Sequence, residues 1–136
     1  MTRNALAYGL VLAVGIGCAS ASPAKEDALT GNWGGPHISL EVTAEGGRVE
    51  YDCAHGTIEG PILPDRDGRF EAAGNHFAEH GGPVREGEEE AGQPVRYRGR
   101  IAGKALTLTV ILARSGDEVG TFTLTRDATP RLMKCL

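Results

Sequence analysis

Apolar and polar residues alternate along most of this chain. Ile38, Leu40 and Val42 are separated by Ser39, Glu41 and Thr43. Successive side chains of an extended strand point to opposite faces, so this period of two predicts a strand with one buried face. Ala44-Glu45-Gly46-Gly47 supplies a turn, and Val49, Tyr51 and Cys53 then alternate with Arg48, Glu50 and Asp52 as a second strand. Thr57-Ile58-Glu59 is a short third strand, followed by Gly60-Pro61 and the turn-forming Pro64-Asp65-Arg66-Asp67-Gly68. Phe70 to Phe77 resumes as a strand, and the opposite parities of its two Phe predict a bulge near Gly74. The acidic, Gly- and Pro-rich stretch Glu79 to Pro94 reads as an exposed loop. Val95, Tyr97 and Ile101 next alternate with Arg96, Arg98 and Arg100, and Gly103-Lys104 makes a tight hairpin turn. Leu106, Leu108, Val110 and Leu112 alternate with Thr107 and Thr109 in the most hydrophobic strand. After a turn over Arg114 to Asp117, Phe122 and Leu124 alternate with Thr121, Thr123 and Thr125.

No amphipathic helical stretch interrupts this pattern. Seven or eight antiparallel strands in one meander must protect their edges, which predicts an all-β fold closed into a small barrel or a tight sandwich. With one Trp, three Tyr and three Phe, the expected core is aliphatic and small, without a spacious apolar ligand cavity. A length of 136 residues fits one β-domain over 31–136, preceded by a leader over 1–21 and a linker over 22–30.

The leader reads as an address. Arg3 is followed by the uncharged apolar run Ala5 to Gly17 and by Ala19-Ser20-Ala21, a small-x-small pattern, as in a secretory signal peptide. The run is shorter than the ~20 residues that span a bilayer. Gly15-Ile16-Gly17-Cys18 offers a second route, a lipoprotein signal with lipid on Cys18, although the leading position is Gly rather than Leu and the middle one, Ile16, is bulky. Either route exports the chain to a periplasmic or envelope-associated location, and membrane contact comes only through lipid at Cys18. Both leave Cys53 and Cys135, and two thiols in an oxidising compartment predict one disulfide; a cysteine pair in a metal site is the alternative.

A net charge of -4 excludes a broad basic footprint for nucleic acid. Ser22, Ser39 and Ser115 are the serines left after cleavage, and none lies in a Gly-x-Ser-x-Gly elbow. The carboxylates Glu88-Glu89-Glu90 and Asp65 with Asp67 sit in polar loops that would not raise a pKa. Asp65-x-Asp67-Gly68 reads as a turn rather than a calcium loop. Among His37, His55, His76 and His80, the last three are candidate metal ligands. The glycines around His76 and His80 argue against a helix that would put both on one face, and the plainer reading is strand-end histidines bonded to turn backbone. Arg96, Arg98 and Arg100 form a basic row suited to an anionic ligand or lipid headgroup, or else to cross-strand pairing with carboxylates such as Glu50 or Asp52. No cofactor is implied.

Leu29-Thr30-Gly31-Asn32-Trp33 resembles the Gly-x-Trp opening of lipocalin- and avidin-type barrels, where the Trp packs under the first strand and closes one barrel end. WGGPHISL, YDCAHGTIEGPI, GRF, GNH, HGGP, YRGRI, LTLTV and GTFTL together resemble a family of small exported bacterial β-domains of unknown function, often lipoproteins, over Thr30 to Leu136. That resemblance implies a secreted β-domain and no activity. The expected function is an exported, non-enzymatic binding or envelope-associated module for a small molecule or an envelope protein. The alternative is a metal-binding site, catalytic or not, built from the histidines.

Overall fold

A strand that is apolar on one face is stable only when that face is covered, and in the computed structural model the meander covers it by closing on itself. The structure describes residues 27–79 and 92–135, with Gly15 and Gly17. The leader, Cys18, Ser22, His80 and most of the loop expected at Glu79 to Pro94 lie outside these residues. Eight strands follow in chain order: β1 (Gly31–Gly35), β2 (Ile38–Thr43), β3 (Gly46–Tyr51), β4 (Ala54–Glu59), β5 (Arg69–Ala78), β6 (Gln93–Ala102), β7 (Ala105–Leu112) and β8 (Glu118–Arg126). Each pairs antiparallel with the next, and β8 returns to β1. The fold is therefore all-β and a closed barrel rather than a sandwich.

Three local expectations are corrected. The strand that the alternation does not reveal is β1, whose Gly-Asn-Trp-Gly-Gly carries almost no apolar pattern and is held extended by pairing along its whole length with β2. The second predicted strand ends at Tyr51, so Asp52 and Cys53 form the turn into β4. There is no bulge at Gly74. The register of β5 with β6 runs unbroken across Gly74, its pairing with β4 runs regularly from Ala78 to Gly74, and the register shift falls between Val110 and Ile111 instead. The parity of the two Phe has a simpler cause: Phe70 faces the interior, whereas Phe77 faces out and stacks on His55 with ring centroids 4.9 Å apart.

An eight-stranded barrel leaves an interior just wide enough for side chains to fill. Here Trp33, Ile38, Leu40, Val49, Val95, Tyr97, Leu106, Leu108, Val110 and Leu124 fill it and are fully buried. The core is mostly aliphatic, as expected, with Trp33, Tyr51, Phe70 and Tyr97 also pointing inward. Glycines make the room. Gly99 lies opposite Phe70, and a Cβ there would overlap the Phe70 ring. Leu29, expected in the linker, is buried as well, and its N–H donates to the Ile62 carbonyl at 2.8 Å.

The seam is the thinnest part of the wall, with Trp33 opposite Arg126 and Gly34 opposite Thr125 as its register pairs. The chain beyond β8 reinforces it. Asp127 turns the backbone with φ 58° and donates its N–H to the Asn32 carbonyl at 2.8 Å. The tail then crosses β1 at Gly34, where any Cβ would collide with the Ala128 carbonyl, and Arg131 exchanges backbone hydrogen bonds with Gly35 and His37. It ends in a disulfide between Cys135 and Cys53, with Cα atoms 5.1 Å apart and a sequence separation of 82. The predicted cross-link is thus present, anchored on the β3–β4 turn.

Closing a loop of that length restricts the unfolded chain by roughly 4 to 5 kcal/mol in the chain-entropy model. The Cys53→Ser, Cys135→Ser double variant should lose stability on that scale in urea unfolding monitored by Trp33 fluorescence.

Candidate functional site

The alternation that buries Val95 and Tyr97 turns Arg96, Arg98 and Arg100 to the outside of β6. Register then sets their neighbours. Arg98 lies between Glu71 on β5 and Thr109 on β7, and Arg100 lies between Arg69 and Thr107. Glu71 approaches Arg96 at 3.6 Å and Arg98 at 3.9 Å. All three side chains are more than half exposed, so these pairs contribute little to stability. The carboxylates expected to face the row, Glu50 and Asp52, belong to β3 and its following turn and are engaged elsewhere. Arg69 and Arg100 stand directly opposite one another, both exposed, and neither forms an ion pair with a described carboxylate.

Between these side chains runs an open groove of about 680 Å³, with Phe70 and Gly99 beneath it and Arg69, Glu71, Arg98, Arg100, Thr107 and Thr109 around it. Asp65 lines one end, where its Oδ1 accepts the N–H groups of Asp67 and Arg69, both at 2.9 Å. That is the turn read from Asp65-x-Asp67-Gly68. The sequence reading missed Arg69, Thr107 and Thr109 as site residues. Arg69 precedes an apolar strand like any turn residue, and only the β5–β6 register reveals it as a neighbour of Arg100.

A second polar cluster fastens the tail. Lys134 Nζ donates to Glu50 at 2.8 Å and to Glu79 at 3.1 Å, while Arg48 donates to Glu50 at 2.6 and 2.8 Å. Partial burial alone would raise the Glu50 carboxyl, yet the bonds from Lys134 and Arg48 hold it below the usual glutamate range. The Met133 backbone N–H donates to Asp52 Oδ1 at 2.8 Å, and His37 donates to Asp52 Oδ2 at 2.6 Å. The Met133 bond first, and then His37, keep the Asp52 carboxyl below its ordinary value.

The histidines divide between two faces. His55 points outward and donates to Glu79 at 3.0 Å, and its strand-mate across the register, Phe77, covers its ring. His76 points inward one step along, with its ring 5.3 Å from that of Tyr51 and its Nδ1 buried without a hydrogen-bond partner among the described residues. Burial, and secondarily the nearby His55, hold His76 below the usual histidine range. Burial likewise pushes Tyr51 up and Tyr97 up to about 12, and the Tyr97 hydroxyl donates to the Asn75 carbonyl at 3.3 Å. His37 and His55 bond carboxylate side chains, not the turn backbone expected for them. Among the described residues no group of three or more His, Cys, Asp or Glu converges to hold a metal, and Cys53 is spent in the disulfide.

No family model, curated protein or solved structure matches the chain. What the groove can do therefore follows from its own groups. Three guanidiniums and the Thr107 hydroxyl can donate hydrogen bonds into it, whereas the Thr109 hydroxyl is spent on Thr121, whose own proton goes to Glu118; among the described residues no Ser, Cys or His lines it. Ser39 points outward on β2, away from the groove, and the Ser115 hydroxyl accepts the Asp117 N–H within the β7–β8 turn.

The perturbed acids separate in pH. The folded pKa of His76 lies below its ordinary 6.5, so stability is full above that pH and falls as His76 is protonated. The folded pKa of Glu50 lies below 4.5, so its contribution persists to lower pH and is lost as pH falls through the folded value. Denaturant unfolding from pH 8 to 3 should show both losses, with His76→Gln flattening the upper one and Lys134→Met the lower one.

Proposed function

We propose that this chain is an exported, non-enzymatic binding module that holds an anionic ligand on the outside of its barrel. The observation that carries the reading is the groove over β5, β6 and β7, where Arg98 and Arg100 are joined by Arg69 in a chain whose net charge is -4. Guanidinium groups present planar forks of donors that suit carboxylate, phosphate and sulfate oxygens. The interior supports the same reading by exclusion, since its inward positions are occupied by buried side chains and leave the outer wall as the place for a ligand. The leader over 1–21 supports export to a periplasmic or envelope-associated location, with lipid on Cys18 as the route to a membrane surface. The partner is then a small molecule or envelope component that carries an anionic group. Histidine metal chemistry draws no support from this geometry, because His55 and His76 occupy opposite faces of the wall.

The test is an amide-shift titration of the disulfide-bonded domain with a panel of small carboxylates, phosphates and sulfates. Shifts centred on Arg98, Arg100, Thr107 and Thr109 are expected, with Leu106, Leu108 and Val110 following only weakly. Shifts centred on His55 and His76, or chemical turnover of the added compound, would replace this reading.

A further inference from the structure

We propose that the group held in this groove is a doubly charged tetrahedral oxyanion, the phosphate of a monoester or of inorganic phosphate, gripped between Arg69 and Arg100. This rests on the binding function above and names its ligand class. Residues directly opposite in an antiparallel pair have Cβ atoms roughly 4.5 to 5.5 Å apart, and like charges in that position repel. Arg69 and Arg100 occupy such a position in unbroken register, with Phe70 opposite Gly99 beside them. Two like-charged side chains rooted this close are relieved by an anion between their guanidiniums that carries two charges.

The other charges around the groove decide between a dianion and a simple carboxylate. Glu71 already answers Arg96 and Arg98, at 3.6 and 3.9 Å. Asp65 commits one oxygen to capping its turn, and the described residues offer Arg69 and Arg100 no ion pair of their own. A carboxylate brings one charge and two oxygens, enough for a single fork. A phosphate monoester brings nearly two charges and three acceptor oxygens at neutral pH, which suits two forks and a hydroxyl donor. Thr107, paired with Arg100 on the side away from Arg69, lines the same groove and offers its hydroxyl to a phosphate oxygen that reaches past Arg100. The groove is open, so the rest of the ester can extend into solvent, and the same phosphate can come from a soluble metabolite or from a lipid headgroup.

The experiment uses the disulfide-bonded domain and follows amide shifts and calorimetric heats. The probes are glycerol 3-phosphate, dimethyl phosphate and acetate, together with vesicles of phosphatidylcholine with and without phosphatidic acid. Glycerol 3-phosphate should shift Arg69, Arg100 and Thr107 and bind at least tenfold tighter than dimethyl phosphate or acetate. Arg69→Gln and Arg100→Gln should each lose that preference, Arg100→Lys should keep only part of it, and Arg114→Gln, in the β7–β8 turn, should keep all of it. Unchanged urea midpoints show that the variants are folded. Recruitment to phosphatidic acid vesicles that exceeds soluble binding assigns the phosphate to a lipid, and soluble binding alone assigns it to a metabolite. Equal binding of acetate and glycerol 3-phosphate in the groove overturns the dianion and leaves the anion-binding function standing. Absence of shifts at Arg69, Arg98 and Arg100 with every probe overturns both.

Discussion

The seam between β1 and β8 is the constraint on which the rest of this barrel depends. Strands that expose one apolar face gain from burial only if the sheet closes, and here closure rests on a short run of paired residues at Trp33 and Gly34. The tail compensates by crossing the seam on the outside and continuing along the β1–β2 turn to the disulfide at Cys53. From within, Trp33 fills the space behind β1, and the Arg126 guanidinium lies 4.8 Å from its ring centroid. The glycines of β1 follow from this arrangement. At Gly34 the tail passes too close for a side chain, and at Gly35 the Thr123 backbone does the same.

Closure also decides where a ligand can bind. Inward side chains fill a barrel of this size, and glycines on neighbouring strands leave room for some of its aromatic rings, Gly99 for Phe70 and Gly74 for Tyr97. Chemistry is thereby displaced to the outer wall. There the side chains are exposed, and their arrangement is set by strand register rather than by packing.

The same wall sorts the charges. The tail draws carboxylates to one side of the barrel, where Glu50 and Glu79 answer Lys134 and Asp52 answers His37 and the Met133 N–H. Across the β5–β7 face Glu71 is shared by two arginines, and Arg69 and Arg100 are left facing each other. An acidic chain thus carries a locally basic groove, while Glu50, Asp52 and Glu79 are occupied in holding the tail.

The period-two alternation was enough to read seven of the strands, the meander and the need for closure, because side-chain alternation is a local property of extended backbone. Thiol arithmetic was enough to read the Cys53–Cys135 bond, and Arg96, Arg98 and Arg100 were visible as a row. The strand β1 was not, since its glycines carry no pattern and serve contacts made by a tail about a hundred residues later. Neither was the outward face of Phe77, because alternation cannot say which of two apolar residues of opposite parity belongs inside. The pairings of Arg69 with Arg100 and of Lys134 with Glu50 and Glu79 were equally hidden. They depend on registers, which the lengths of the intervening turns and the closure of the whole barrel decide together.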